Sequence, residues 1–296
     1  MKRSLSLFSA EMSSVFDHHL LRKSSVLRKG SAFAFKPISK MQRQFSRRDD
    51  YLDGPPVIVN SLPKSGTHLL LQVTRSLPGS MYRGNFIATA PSISLKRRSD
   101  ETLSRLITNI LPRETLGAHI YYSDQAVEAA KALNALHLFI YRDPRDVITS
   151  EAFYLAEMNR WHRMHKVFSG LKSQDERLAL ALSGYDERYP ECNARILPYA
   201  GWLKPQSGAL AIRYEDISGA GQEAEIDRIV TAWQDKGGQT ADSSALAAAL
   251  KRAVAPEKSH TFREGGSGKW KRGLSDEKAR EVTRTLQPSL TAFGYQ

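Results

Sequence analysis

The stretch Val57-Ile-Val-Asn-Ser-Leu-Pro-Lys-Ser-Gly-Thr-His-Leu-Leu-Leu71 joins two apolar runs through a polar loop. A continuous β-branched run such as the one that begins at Val57 is typical of a strand buried on both faces of a parallel sheet. The leucines after Thr67 recur at helical spacing until Pro78-Gly79, which ends the helix. A strand, a loop and a helix therefore follow one another directly, as in half of a βαβ unit.

The same order of strand, polar loop and helix recurs along the chain. Apolar runs at 115–122, 136–141 and 209–214 predict further strands, and the segments between them have helical periodicity. No repeat, linker or low-complexity tract follows residue 50. We therefore predict an α/β fold, in which residues 55–296 form a single domain with a mostly parallel central sheet flanked by helices.

The N-terminal segment differs in composition from the rest of the chain. Residues 1–50 hold eleven Lys and Arg against four Asp and Glu, a net charge of +7 out of +12 for the chain. This serine-rich segment without apolar periodicity predicts a basic, loosely ordered extension. A transit peptide and a peripheral contact with anionic lipid or polysaccharide are both open alternatives.

The remaining composition restricts the class of protein. No apolar run reaches the roughly 18 residues that a transmembrane helix needs. Cys192 is the only cysteine, which excludes an internal disulfide framework and a cysteine-cluster metal site. These features predict a cytoplasmic protein without a transmembrane segment.

The loop between the first strand and the first helix carries the groups of an anion site. Ligands of open α/β sheets bind beyond the carboxyl ends of the strands, where helix N-termini present unpaired N–H groups. Gly66 allows close approach of the backbone, Ser65 and Thr67 add hydroxyl donors, and Lys64 adds a mobile charge. The lysine precedes the glycine, so the loop lacks the Walker order of ATPases. A generic turn with an exposed lysine is the alternative interpretation.

A second polar loop follows the strand at 136–141. Arg142 at the strand exit and Ser150 in the next helix are eight residues apart, and both can point at one anion. A surface cluster of ion pairs is the alternative interpretation of this loop. Two polar loops after two apolar strands favour an anion site over such a cluster.

These motifs resemble those of sulfotransferases that use 3′-phosphoadenosine 5′-phosphosulfate (PAPS) as sulfuryl donor. Pro63 to Thr67 is similar to their 5′-phosphosulfate loop, and Arg142 and Ser150 match the pair that binds the 3′-phosphate. Phe262 to Lys271 resembles the late segment that closes over that phosphate. The resemblance covers roughly residues 55–275 and implies a P-loop NTPase-like sulfotransferase architecture. It implies donor contacts by Lys64, Ser65, Gly66, Thr67, His68, Arg142, Ser150, Tyr214, Arg263, Glu264 and Gly265.

The chain departs from this family pattern in two of the segments that are similar to donor-binding segments. Glu264 stands where the family usually has a lysine, so we expect Glu264 to turn outward and Arg263 to make the phosphate contact. The loop continues with His68 and a leucine where cytosolic enzymes have Thr-Trp, and that tryptophan stacks on adenine. Tyr214, in a Tyr-Glu-Asp segment similar to one in the family, is the candidate replacement; an ordinary half-buried strand tyrosine is its alternative interpretation.

Sulfuryl transfer to an alcohol needs a base for the hydroxyl proton and a positive group for the leaving phosphate. The resemblance implies that His119, which precedes Arg142 by 23 residues, is this base. It implies that Lys64 stabilises the leaving group. Gly117 and Ala118 replace the family's Lys and Thr before the histidine. A structural histidine after an apolar strand is the alternative, and we expect no metal.

The acceptor is less clearly indicated. Segments 79–115 and 155–205 are predicted to form variable loops around a small-molecule or saccharide acceptor. Basic residues at 83 and 96–98 and the aromatic residues Tyr82, Phe86, Tyr121 and Tyr122 favour a saccharide over a phenol or a lipid. We expect no nucleic acid partner.

Two other functions remain open at this stage. A nucleotide-dependent phosphotransferase should have the Walker order and an acidic metal ligand where this chain has Arg142. A non-catalytic anion or nucleic-acid binder would account for the basic extension.

Overall fold

The computed structural model describes residues 36–254, 268–272 and 274–296, and a five-stranded sheet lies at its centre. The strands are β1 Val57–Ser61, β2 Met81–Ala88, β3 Glu114–His119, β4 Leu136–Tyr141 and β5 Leu210–Arg213. Their order across the sheet is β2-β3-β1-β4-β5, and all four neighbouring pairs run parallel. The prediction of a single α/β domain with a parallel sheet is confirmed.

Helices connect the strands and pack on both faces of the sheet. Ser123 and Ser275 are N-caps, since their hydroxyls accept hydrogen bonds from the N–H groups of Ala126 and Lys278. The helices are α1 Lys36–Phe45, α2 Arg48–Leu52, α3 Thr67–Thr74, α4 Asp100–Thr108, α5 Asp124–Ala132, α6 Pro144–Phe153, α7 His165–Ser169, α8 Gln174–Ser183, α9 Cys192–Ile196, α10 Tyr214–Ile217, α11 Gln222–Asp235, α12 Ser243–Ala253, α13 Asp276–Thr285 and α14 Gln287–Phe293. Shorter turns are the π-helical Tyr154–Met158 and the 3₁₀ turns Leu197–Leu203, Pro205–Ser207 and Lys269–Lys271.

Strand β1 is hydrogen-bonded on both sides, which places three chain segments at one edge of the sheet. Val59 is paired with Gly117 of β3 and with Leu138 of β4. Because the strands are parallel, their carboxyl ends lie at the same edge. The loop after β1, the last residue of β3 and the first residues after β4 therefore meet there.

Two apolar layers hold the sheet rigid. Alternate residues of β1 point to opposite faces, so that Ile58 packs in one layer with Phe139, while Val57 and Val59 pack in the other. The first layer includes side chains of α4, α5 and α8, and the second includes α3, α11 and α12. Each fully buried side chain of this kind contributes about 1.5–3 kcal/mol. The polar edge is thus supported by a packed core on both sides.

Strand β2 was not predicted, because its sequence lacks a regular alternation. The register of its pairing with β3 shifts between Tyr82 and Phe86. Gly84 within it has a φ of +70°, and Arg83 is buried. A strand with an irregularity and an inward-facing arginine resembles a loop at the level of sequence.

Helix α6 is shorter than the helical periodicity of the segment after β4 suggests. It ends at Phe153, and the chain continues as the π-helical turn that begins at Tyr154. Turns of this kind are rare and are frequently found at functional sites.

Helices α1 and α2 lie within residues 36–52, where Tyr51 Oη donates a hydrogen bond to the Ile110 carbonyl at 2.9 Å.

Within the described ranges, no helix combines the length and the apolar composition that are needed to cross a bilayer.

Candidate active site

The loop between β1 and α3 is bent sharply by two residues in the left-handed region. Lys64 has a φ of +67° and Gly66 a φ of +102°. A lysine in this conformation is strained, and such strain is concentrated at ligand-binding sites. Successive N–H groups in turns of this type can form a concave site for an anion. A loop of this conformation can therefore accommodate an anion.

Gly66 cannot be replaced without moving its neighbour. A Cβ atom built on Gly66 would lie 2.7 Å from Cδ2 of Tyr214, which belongs to α10 after β5. The close approach of the loop to this ring explains the glycine better than flexibility alone.

The hydroxyl groups of the loop have different surroundings. Ser65 is fully buried, and its Oγ has no hydrogen-bond partner in the described part of the chain. Thr67 Oγ1, in contrast, lies 2.6 Å from Ser61 Oγ. A buried hydroxyl without a partner costs about 1–3 kcal/mol. An anionic ligand in the loop would accept a hydrogen bond from the Ser65 hydroxyl. The next predicted site residue along the chain, His68, lies half-buried in the first turn of α3.

The Lys64 ammonium group lies over the ring of Tyr154, with Nζ 3.7 Å from the ring centroid. Burial lowers the pKa of Lys64 to about 8, the Glu151 carboxylate opposes this change, and Arg142 adds to it. The amine therefore remains mostly protonated at neutral pH. The influence of Arg142 on Lys64 also indicates that the two predicted anion loops face one region.

His119 ends β3 beside the same loop. Its Nδ1 lies 3.1 Å from the Ser61 carbonyl oxygen and 3.0 Å from Ser61 Oγ. A carbonyl oxygen can only accept a hydrogen bond, so Nδ1 carries the proton and Nε2 is the unprotonated nitrogen. Burial, with a smaller contribution from the nearby Lys64 charge, lowers the pKa of His119 to about 4. The imidazole is therefore neutral at pH 7, as a proton acceptor must be.

Arg142 follows β4 at the same edge and is nearly buried. Its guanidinium carbon lies 4.5 Å from the ring centroid of Tyr214, and Nη2 lies 3.6 Å from Asp146 Oδ2. Tyr214 therefore contacts Gly66 of the first anion loop and Arg142 of the second. The ring links the two predicted sites, although it lies about 70 residues beyond Arg142 in the chain.

Asp146 connects Arg142 to the late segment. Its carboxylate accepts hydrogen bonds from the N–H groups of Gly268, at 2.9 Å, and Trp270, at 3.0 Å. The third predicted segment thus reaches the arginine loop at its described end. The predicted donor contacts Arg263, Glu264 and Gly265 lie outside the described residues.

Ser150 lies two turns along α6 from Arg142, with a half-buried side chain. The next residue, Glu151, forms an ion pair of 2.7 Å with Arg195. Sequence reasoning did not identify Glu151, Tyr154 or Ser61 as parts of the site. The only signal in the sequence is that Glu151 directly follows Ser150, a predicted site residue.

The described residues contain no group of three or more His, Cys, Asp and Glu side chains that could hold a metal ion. His162 and His165, which lie three residues apart in the sequence, are hydrogen-bonded to the backbone instead. His162 Nδ1 accepts from the Met164 N–H at 3.2 Å, and His165 Nδ1 lies 2.8 Å from the Leu155 carbonyl oxygen.

Some of the residues considered for an acceptor lie beside His119. The ring of Phe86 meets the imidazole edge to face at 4.8 Å, and Phe86 is half exposed. Tyr121, two residues after His119, lies under the guanidinium of Arg97 at 5.4 Å. Three others serve elsewhere: Tyr82 contacts Arg75, Arg83 is buried near Glu114, and the Tyr122 hydroxyl donates to Asp124.

Comparisons with known proteins agree with this geometry. The fold is similar to that of mouse sulfotransferase SULT7A1 complexed with PAP, with 18% sequence identity and a TM-score of 0.54 over 83% of this chain and 88% of that chain. It is also similar to retinol dehydratase in complex with androsterone and inactive cofactor PAP, with 13% identity and a TM-score of 0.53 over 79% and 80% of the two chains. At these identities the structures establish the fold alone. No curated protein sequence matches the chain. The family model of the sulfotransferase domain matches residues 54–294, and this chain therefore belongs to the sulfotransferase domain family.

Proposed function

We propose that this protein is an enzyme that transfers a sulfuryl group from PAPS to a hydroxyl group of an acceptor. The observation that carries the proposal is the contact of both anion loops with one ring, that of Tyr214. A ligand that spans the two loops needs an anionic group at each end, and PAPS has a 5′-phosphosulfate and a 3′-phosphate. PAP, present in both similar structures, is PAPS without the sulfuryl group.

The first loop would hold the 5′ end of the donor. The backbone N–H groups around Gly66, the hydroxyls of Ser65 and Thr67 and the charge of Lys64 are all suited to a phosphate. The unsatisfied Oγ of Ser65 supports this assignment, because a phosphate oxygen supplies the acceptor that the protein does not. His68 would contact the donor from the first turn of α3.

The second loop would hold the 3′-phosphate through Arg142 and Ser150. A guanidinium held between the Tyr214 ring and the Asp146 carboxylate needs little rearrangement to bind this dianion. The contact of Asp146 with the Gly268 N–H supports a role for Arg263 and for the backbone of Glu264 and Gly265 as well.

The reaction would need no metal ion. His119 accepts the acceptor's hydroxyl proton on Nε2, the acceptor oxygen forms a bond to sulfur, and the bond from sulfur to the phosphate oxygen breaks. Lys64 stabilises the negative charge that develops on the departing phosphate. The neutral imidazole and the charged ammonium group support these two roles, since each group is in the required state at neutral pH.

For the acceptor we propose a small molecule with a saccharide hydroxyl. The half-exposed ring of Phe86 lies against His119, and sugar rings commonly pack on such aromatic rings. Arg97, which lies on Tyr121, would favour an acidic sugar.

Two measurements test the proposal. We expect PAP to raise the melting temperature of the protein more than AMP does, because AMP lacks the 3′-phosphate. We also expect transfer of labelled sulfate from PAPS to an acceptor, with a loss of about 100-fold or more in the Lys64→Met and His119→Gln variants. Glu157→Gln, on the neighbouring helical turn, is the matched control, since Glu157 pairs with Arg177 instead.

The results separate the alternatives. Equal stabilisation by PAP and AMP contradicts a 3′-phosphate site. Binding of PAP without transfer to any acceptor would instead indicate a non-catalytic binder. An acceptor panel of acidic sugars, phenols and sterols tests the acceptor class, and a preference for phenols or sterols refutes the saccharide assignment.

A further inference from the structure

The lysine of the first anion loop has a fixed position even without a ligand. Lys64 Nζ lies 3.7 Å from the ring centroid of Tyr154, which is well within the range of a cation–π contact. Tyr154 is the first residue of the π-helical turn that follows α6. Because that turn departs from α-helical geometry, it changes the direction in which its side chains point relative to a continued α-helix.

A carboxylate lies on the same side of the helix. Glu151 precedes Tyr154 by three residues, a spacing that puts both side chains on one helix face. The Glu151 charge raises the pKa of Lys64, against the effect of burial. Tyr154 and Glu151 thus act on one ammonium group from neighbouring helical positions.

Arg195 of α9 fixes the position of Glu151. Its Nη2 lies 2.7 Å from Glu151 Oε2, and both side chains are largely buried. Arg195 also donates to the carbonyl oxygens of Ala181 and Pro190 and lies on the Tyr189 ring at 3.9 Å. A guanidinium with this many partners cannot follow a moving carboxylate, so Glu151 is held where it acts on Lys64.

The other charged groups near Lys64 act in the opposite direction or are neutral. Arg142, after β4, lowers the pKa of Lys64, and His119, at the end of β3, is itself uncharged at neutral pH. Glu151 also faces His162, whose pKa burial lowers to about 4. Among these groups the carboxylate of Glu151 is therefore the one that favours the charged form of Lys64.

We propose that Tyr154 and the Glu151–Arg195 pair are positioning residues that hold the Lys64 ammonium group in place and charged before the donor binds. This inference rests on the proposed function, in which Lys64 stabilises the leaving phosphate. The ring restrains the position of the ammonium group, and the carboxylate maintains its charge. The three residues contact or influence Lys64 and have no part in bond making.

The test measures the protonation of Lys64 directly in the free, full-length protein. Competitive labelling with acetic anhydride between about pH 6 and 10, read by mass spectrometry of the Lys64 peptide, reports the fraction of free amine. We expect a midpoint near pH 8 in the unaltered protein. Glu151→Gln and Tyr154→Leu should lower this midpoint by about half a pH unit or more.

Two matched variants separate a specific effect from a general one. Tyr154→Phe keeps the aromatic ring, so we expect the labelling midpoint of Lys64 to stay unchanged. If the Tyr154 hydroxyl group were responsible instead, this variant would shift the midpoint. Glu157→Gln removes a carboxylate from the same π-helical turn, pairs with Arg177 in the native chain, and should also leave the midpoint unchanged. Because Glu151→Gln leaves Arg195 without its ion-pair partner, that variant can fail to fold; Tyr154→Leu does not touch the ion pair and keeps the test decisive.

The alkaline limb of kcat/KM for PAPS should move in step with the labelling midpoint. Unchanged midpoints in folded Glu151→Gln and Tyr154→Leu proteins that still transfer sulfate refute the positioning role and leave the proposed function intact. Lowered midpoints in a protein that transfers no sulfate to any acceptor support the positioning of Lys64 and refute the proposed function.

Discussion

The buried hydroxyl of Ser65 leads to a prediction in which stability and binding change in opposite directions. Ser65 is fully buried, and its Oγ has no hydrogen-bond partner among the residues that the structure describes. Such a group destabilises a folded protein by about 1–3 kcal/mol. Ser65→Ala removes the hydroxyl and only one heavy atom, so we expect the free energy of unfolding of the ligand-free protein to rise by about 1 kcal/mol.

Donor binding should change in the opposite sense. In the proposed complex the Ser65 hydroxyl donates to a phosphate oxygen, and a hydrogen bond to a charged group contributes about 1.5–3 kcal/mol. Ser65→Ala should therefore weaken PAP binding by about 10- to 100-fold. Urea denaturation of the ligand-free protein and titration calorimetry with PAP measure the two effects separately.

Thr67 provides the control for this experiment. Its Oγ1 is 2.6 Å from Ser61 Oγ, so Thr67→Val removes a hydrogen bond that exists in the free protein. We expect this variant to lose about 1 kcal/mol of stability. A Ser65→Ala protein that is less stable than the unaltered one, or that binds PAP within twofold of it, would refute the reasoning.

Three further predictions concern the same edge of the sheet. Gly66→Ala places a Cβ 2.7 Å from the Tyr214 ring at a φ of +102°, so we expect PAP affinity to fall at least about tenfold; calorimetry that finds native affinity contradicts the tight contact. The proposed reaction needs neutral His119, with a pKa of about 4, and charged Lys64, with a pKa of about 8. We therefore expect kcat/KM for PAPS to be constant between these pH values and to fall above pH 8. A rise of kcat/KM above pH 9 contradicts these roles. Asp146→Asn removes a carboxylate that accepts two backbone hydrogen bonds and faces Arg142. We expect the affinity for PAP to fall about tenfold and the affinity for AMP to change little. Equal losses of affinity for PAP and AMP are evidence against a 3′-phosphate site at Arg142.

The sequence predicts well which loops meet at this edge of the sheet, because local patterns determine it. A buried apolar strand followed by a polar loop and a helix specifies both the parallel sheet and the edge at which ligands bind. Once β1, β3 and β4 are neighbours, Lys64, His119 and Arg142 must lie at one edge. Their meeting is a consequence of topology and requires no knowledge of the side-chain packing.

The residues that the sequence did not reveal depend on packing between distant segments. Tyr154 reaches Lys64 because α6 ends in a π-helical turn, and no pattern in the sequence marks that change. Glu151 acquires its place through Arg195, which lies 44 residues further along the chain. Strand β2 escaped prediction for a related reason, since Arg83 and a glycine of positive φ interrupt its alternation.

The acceptor side is less predictable for the same physical reason. Three of the residues on which the saccharide expectation is based, Phe86, Tyr121 and Arg97, lie around or next to His119 at the end of β3. Arg83, of the same chemical type, is buried near a carboxylate in β2. Residue type alone cannot separate these cases, because the position of each side chain depends on how it packs against other segments of the chain.

The loop that is proposed to hold the donor has features that are unfavourable without a ligand. Lys64 has a strained backbone and an ammonium group whose charge burial disfavours, and Ser65 has a buried hydroxyl without a partner. A bound phosphate would satisfy the hydroxyl and stabilise the charge, while the packed core on both faces of β1 maintains the strained loop. If the loop binds the donor as proposed, part of the stability lost in the free protein should reappear as stabilisation by the donor.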